Sequence, residues 1–194
     1  MILLIDGDIL VYRFAFSNQY SIPWDEDTVS EVIQEDNALL DVNSFITSLL
    51  SRMKNCDDYL ICLSSSPNFR YQVLSTYKQN RREVEKPKLL THIREHLEEN
   101  HPCKLKPTLE ADDVLGIMST LKPNKYIIAT IDKDLDQIPG RHYNWNKDKK
   151  YMVSKKDADH FFYKQVLKGD PTDGYSGCPG IGEKRAEKIL SEAE

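Results

Sequence analysis

With 194 residues, 40% of them hydrophobic, the chain is long enough to bury one large core or a core with a small appendage, and nothing in its composition points to disorder. No apolar run approaches the ~20 residues that span a bilayer, and Met1-Ile-Leu-Leu-Ile5 meets Asp6 too soon for a signal peptide, so a soluble, intracellular protein is expected. The formal charge of −5 argues at first against a nucleic-acid partner, because phosphate contacts demand a positive face.

The elements follow in order. Ile2 to Ile5 reads as a buried central strand that meets a turn at Asp6-Gly7. Ala38, Leu39, Val42, Phe45, Ile46, Leu49, Leu50 and Met53 keep helical spacing and predict an amphipathic helix packed on a sheet. Tyr59 to Leu63 and Tyr126 to Thr130 read as two more buried strands. Between them, Leu89, Leu90, Ile93 and Leu97 predict a helix begun near Pro87 and ended by His101-Pro102, and Leu109 to Leu121 predicts another. Arg141 to Trp145 and Tyr151 to Val153 suit a hairpin, and Phe161 to Leu167 a helix. This alternation predicts an α/β domain with a mainly parallel, Rossmann-like sheet flanked by helices over residues 1–156, followed by a helical segment over 157–194.

Acids cluster at four places: Asp6 with Asp8; Glu110, Asp112 and Asp113; Asp132, Asp134 and Asp136; Asp170 with Asp173. In an open α/β sheet ligands gather outside the carboxyl ends of the strands, where the first and third clusters follow their strands and Glu110 to Asp113 open a helix that can pack beside them. Carboxylates crowded together repel and are costly to ionise away from water, so divalent cations are the simplest neutralisers. Oxygen-only ligation suits Mg²⁺ or Mn²⁺. N-caps, turns and surface ion pairs account equally well for any one cluster, and Asp8 and Asp136 are the weakest members. The clusters also resolve the charge. Without them the 26 Lys and Arg outnumber the remaining acids, and the basic residues group at Lys78–Arg82, Lys147–Lys150, Lys155-Lys156 and Lys184-Arg185 with Lys188.

In order and spacing, Leu4-Ile-Asp6-Gly-Asp8, Tyr77-Lys-Gln-Asn-Arg81, Leu109-Glu-Ala-Asp-Asp113, Thr130-Ile-Asp-Lys-Asp134 and Gly169-Asp-Pro-Thr-Asp173 resemble the flap endonuclease and 5′-exonuclease family, especially the short bacteriophage 5′→3′ exonucleases. The resemblance implies a PIN-like fold and two divalent cations. Asp6, Glu110, Asp112 and Asp113 would hold or support one, and Asp132, Asp134, Asp170 and Asp173 the other. It places Lys78 and Arg81 at the foot of a helical arch over about 70–108, with Lys78 contacting the scissile phosphate and Arg81 supporting the charge that develops on it, Arg82 beside them, and Tyr77 stacking on a terminal base. Gly177-Cys-Pro-Gly-Ile-Gly182 resembles a helix-hairpin-helix element. There Gly180 and Gly182 would adopt positive backbone angles, K⁺ would share the phosphate contact, and Lys184 and Arg185 would reinforce the grip on duplex backbone. Implied partners are DNA with 5′ ends, flaps or nicks and, as a second substrate, RNA in RNA-DNA hybrids. The implied setting is phage replication or DNA degradation in a bacterial cytoplasm.

Three departures stand out. Ser65 occupies the place nearest another family aspartate, the segment from Lys78 to Glu110 is short for an arch, and family chains continue well past the hairpin, so part of the duplex-binding surface is expected to be missing. Rival readings are a DNA-structure-binding module with weak or no catalysis and a PIN-type ribonuclease. Zinc finds little support. His92 and His96 lie four apart without the H-E-x-x-H pattern, and Cys56, Cys62, Cys103 and Cys178 show no C-x-x-C spacing. Ser64, Ser65 and Ser66 lack the G-x-S-x-G turn of a serine hydrolase.

Overall fold

The structure, a computed structural model, describes residues 1–25, 28–81 and 84–193. Strand β1 (Ile2–Asp6) runs through the centre with Leu3, Leu4 and Ile5 fully buried, as an apolar run covered on both faces should be. Helix α1 (Gly7–Ser17) follows without an intervening turn, because Asp6 is itself the N-cap and its Oδ1 accepts from the Ile9 amide at 3.3 Å. The turn expected at Asp6-Gly7 is thus a strand-to-helix corner. Gly7 permits it, since a Cβ there would lie 2.6 Å from the Cys62 carbonyl oxygen and from side-chain carbons of Ile61 and Leu63.

Strands β2 (Gln19–Pro23) and β3 (Val29–Ile33) pair in a separate antiparallel ribbon that the hydrophobic pattern did not announce. Its residues are exposed or half-buried throughout, so neither face carries the alternation that signals a strand. Helix α2 (Glu35–Arg52) lays Ala38, Val42, Ile46 and Leu49 into the core, as its spacing predicts. Strand β4 (Asp58–Cys62) leads to a four-residue helix, α3 (Arg70–Val73), and then a 3₁₀ turn at Gln79–Arg81. Between Arg70 and Arg81 the expected arch therefore holds only these short turns, and its one long helix comes later, after Pro87. Helix α4 (Leu90–Asn100) starts after Pro87 rather than on it, with the Leu90 amide bonded to the Pro87 carbonyl in a preceding turn.

Strand β5 (Cys103–Lys104), helix α5 (Ala111–Leu121), strand β6 (Tyr126–Ala129) and the hairpin of β7 (Gly140–Asn144) and β8 (Lys149–Val153) complete the sheet. Its order is β5-β4-β1-β6-β7-β8, parallel except for β8. Strand residues alternate between two cores. Leu3, Ile5, Ile61 and Ile127 pack with α1, α2 and α4, while Leu4, Cys62 and Ile128 pack with α5 through Val114 and Leu115. Helices α6 (Lys155–Lys168) and α7 (Glu183–Ala193) follow, joined by ion pairs of Lys164 and Lys168 with Glu183. Among the described residues no helix is long and apolar enough to cross a membrane.

Because the chain leaves β1 toward β4 on one side and returns as β6 on the other, the strand order reverses about β1. The loops after β1, β4 and β6 consequently face one crevice.

Candidate functional site

Asp6 closes β1, Asp112 lies in the first turn of α5, and Asp132 and Asp134 begin the 3₁₀ turn Lys133–Gln137 that follows β6. Two clefts, of about 810 and 950 Å³, meet here and share Lys78, Arg81, Glu110, Asp112 and Asp132 as lining. Asp6 and Asp8 line one cleft; Asp134, Asp170 and Asp173 line the other.

Asp6 is 2% exposed, and its carboxyl is raised well above the ordinary range, first by burial and then by repulsion from Asp112. The Thr130 hydroxyl, donating to Asp6 Oδ2 at 2.8 Å, offsets part of this and also accepts from the Asp132 amide at 3.0 Å. Asp112 is pushed up to about 7 by burial, then by Asp132 and Glu110. Asp134 is raised by burial and by Asp132 and Asp170, although Gln165 Nε2 on α6 donates to its Oδ1 at 2.8 Å. Among the described residues no Lys or Arg forms an ion pair with any of these four acids.

The surrounding acids are occupied. Lys78 Nζ donates to Glu110 Oε1 at 2.9 Å and the Tyr77 hydroxyl to Glu110 Oε2 at 2.7 Å. Arg70 grips both Asp113 oxygens at 2.6 and 2.7 Å, and Arg81 lies 3.4 Å from Asp173. Burial alone would raise the Asp113 carboxyl; the Arg70 hydrogen bonds and the Glu110 amide hold it below the usual range. The loop carrying Asp173 reaches this corner through Gly174, at φ +75°, where a Cβ would lie 2.7 Å from the Thr76 carbonyl oxygen. The Lys78 amide then bonds the Asp173 carbonyl at 3.0 Å.

Several expectations change. Tyr77 does not present a ring for base stacking: it is 6% exposed, edge-on to Tyr71, with its hydroxyl spent on Glu110 and raised by burial and that hydrogen bond. Asp113 is not a free carboxylate, since both of its oxygens accept from Arg70. Lys78 stands not on an arch helix but in the left-handed region, at φ +49°. Gly182 needs no positive backbone angle, since its carbonyl accepts the Ala186 amide and opens α7; Gly180, at φ +73°, does adopt one. Arg185 turns back to the Gly180 carbonyl at 2.8 Å, while Lys184 is exposed. Arg82 lies outside the described residues. Asp8 accepts from the Ser64 amide at 3.1 Å and from its hydroxyl, and Asp136 accepts from Tyr151 and lines neither cleft. His96 pairs with His101 around Asn43 instead of with His92.

Among the described residues no three His, Cys, Asp or Glu already converge as a closed metal cage. The donor set still fits hard divalent cations. It is oxygen-only, open on one side, and contains buried carboxyls raised by one another.

The family model of the 5′-3′ exonuclease N-terminal resolvase-like domain matches residues 1–166. The chain belongs to the 5′-3′ exonuclease family. This 5′-3′ exonuclease family member is 31% identical over 201 residues to the exodeoxyribonuclease of Enterobacteria phage T3 and 31% identical over 200 residues to the exonuclease of Escherichia phage T7. Each comparison covers 98% of the chain, which spans 66% of the length of either relative. The bacteriophage T5 5′-exonuclease with bound zinc ions shares the fold at a TM-score of 0.73 and 21% identity, over 98% of this chain and 74% of that one. A T5 flap endonuclease in a pseudo-enzyme-product complex with DNA and metal ions does so at 0.71 and 20%, with the same coverage.

In this 5′-3′ exonuclease family member, Arg70, Thr130 and Gln165 are site residues that sequence reasoning missed. Thr130 carried a signal, preceding Asp132 by two residues as the strand ends. Arg70 and Gln165 carried none, because their acid partners lie 43 and 31 residues away.

Proposed function

We propose that the chain is a divalent-metal-dependent 5′→3′ exonuclease or flap-type nuclease that hydrolyses phosphodiester bonds at DNA 5′ ends. The observation that carries this reading is the division of the acids. Among the described residues Asp6, Asp112, Asp132 and Asp134 meet without forming an ion pair to Lys or Arg, while Glu110, Asp113 and Asp173 around them are paired. The names of the phage relatives and the DNA- and metal-bound T5 structures support it.

Asp6 and Asp112, with Glu110 behind them, are suited to hold one Mg²⁺ or Mn²⁺, and Asp132 and Asp134, with Asp170 and Asp173, a second. When bound, such a pair supplies an activated water nucleophile and stabilises the leaving oxygen of an in-line displacement. Thr130 and Gln165 hold Asp6 and Asp134 in place by hydrogen bonds. Lys78 and Arg81 stand where both clefts meet, and their charges are suited to a scissile phosphate and to the charge that develops on it. Tyr77 acts from behind, fixing Glu110.

Residues 1–156 form the catalytic unit in this reading, with α6, the glycine hairpin and α7 as a helix-hairpin-helix grip on duplex backbone. The positive φ at Gly180 and the exposed Lys184 support that grip, with K⁺ as a shared ligand of phosphate and hairpin. RNA in RNA-DNA hybrids is the second substrate class. The test is duplex DNA labelled separately at its 5′ and 3′ ends, incubated with Mg²⁺, Mn²⁺ or EDTA beside a binding assay. Metal-dependent early release of small 5′-labelled products is expected; binding without cleavage in either metal would replace the enzyme by a DNA-structure-binding module.

A further inference from the structure

Among the described Lys and Arg that line the cleft with Asp134, Asp170 and Asp173, Arg70 is the one that the proposed chemistry leaves without a task. It opens α3, where its amide donates to Asn68 Oδ1 at 2.9 Å, and its guanidinium lies 4.9 Å from the Phe69 ring centre and 5.9 Å from that of Tyr77. From there Nη1 and Nη2 reach across to Asp113 Oδ2 and Oδ1 at 2.6 and 2.7 Å, and Nη1 lies 3.7 Å from Glu110 Oε2. Both groups are largely shielded, at 28% and 22% side-chain exposure, so the pair is not an ordinary surface bridge. Asp113 Oδ2 also accepts the Glu110 amide at 2.9 Å, which ties the ion pair to the first backbone turn of α5.

We infer that Arg70 is a positioning residue: by holding Asp113 with a two-point fork it fixes the N-terminus of α5, so that the adjacent Asp112, not Asp113, is the carboxylate offered to the divalent cation. The inference rests on the nuclease reading above. Asp112 and Asp113 are neighbours on one helical turn, and either could swing toward a cation. Arg70 removes that choice by occupying both oxygens of one of them. A planar guanidinium can do this where an ammonium cannot, because its paired N–H groups match the two carboxylate oxygens in direction as well as charge. The same contact links the segment bearing Tyr77 and Lys78 to the helix bearing Glu110 and Asp112, so the cationic and acidic sides of the cleft keep a common frame.

The test compares the wild type with Arg70→Gln, Arg70→Lys, Asp113→Asn and the Arg70→Gln/Asp113→Asn pair. Mn²⁺ binding alone is measured by calorimetry, hydrolysis of a 5′-labelled duplex is followed across a Mn²⁺ series, and the folded fraction is taken from thermal unfolding. Arg70→Gln is expected to raise the Mn²⁺ concentration for half-saturation by roughly tenfold or more, in binding and in activity alike, with part of the rate recovered at high Mn²⁺. Arg70→Lys should restore the charge but only a fraction of the affinity, and the double variant should lose little more than either single one. If Arg70→Gln unfolds, Arg70→Lys and Asp113→Asn carry the same comparison. A purely structural role would lower the folded fraction and leave half-saturation unmoved in the molecules that remain folded; that result overturns the inference. A wild-type chain that neither binds Mn²⁺ nor cuts DNA would instead remove the nuclease reading itself.

Discussion

Asp112 and Asp113 are adjacent on one turn of α5, yet burial and neighbouring acids push one up to about 7, while the fork of Arg70 holds the other below the carboxylate range. The contrast extends to the whole cleft. Its inner acids, Asp6, Asp112, Asp132 and Asp134, gather from two strand ends and a helix start and, among the described residues, form no ion pair with a Lys or Arg. Its outer acids, Glu110, Asp113 and Asp173, are met by Lys78, Arg70 and Arg81 from a single segment after β4. All are carboxylates, so the difference comes from which element packs opposite. In the proposed reading the inner acids are left for cations that come from solvent, while the outer acids hold the protein's own.

The strongest way to break this comparison is to remove an inner acid. Asp132→Asn is expected to reduce hydrolysis of a 5′-labelled duplex to background, while a gel-shift assay shows DNA binding retained; turnover near wild type would end the distinction. An outer pair should respond less. Lys78→Met is expected to cost roughly 10²–10³-fold in turnover, measured at saturating Mg²⁺, because the proposed reading aims its charge at the scissile phosphate. Gly7→Ala tests the scaffold beneath the inner acids. With only 2.6 Å to the Cys62 carbonyl, the added methyl should destabilise the fold by about 1–3 kcal/mol in a urea titration.

A smaller effect sharpens the contrast through pH. Asp112 binds its proton more tightly folded than unfolded, so in metal-free protein its contribution is greatest at low pH and is lost as pH rises from the ordinary carboxylate range through about 7. Asp113 has the opposite sign: its contribution is present at neutral pH and is lost as pH falls through its depressed value. Asp112→Asn should therefore raise the metal-free Tm at pH 8 and change it little at pH 4, whereas Asp113→Asn should lower the Tm at pH 8. Scanning calorimetry in EDTA checks both signs. The smallest effect is expected at the hairpin, where Lys184→Ala should weaken DNA binding uniformly across sequences and reduce the salt slope by about one.

Much of the fold was legible because it depends on local pattern. The uninterrupted run Ile2 to Ile5, the helical spacing from Ala38 to Met53 and the strand at Tyr126 each place a buried face by periodicity alone. The β2–β3 ribbon was not legible, since a strand pair with no buried face leaves no alternation to read. Of the site, the acids announced themselves by clustering. Arg70, Gln165 and the burial of Tyr77 did not, as each depends on a contact made across the fold.

By itself, then, the sequence determined an α/β sheet with acids at its strand ends, because hydrophobic periodicity and strand-end carboxylates are properties of short segments. Only the tertiary structure decided which of those acids keep a counter-charge and which are left open. That depends on the side chains that α3, the 76–81 segment and α6 bring opposite them, and the energy of a buried carboxylate is set by such neighbours rather than by its own identity.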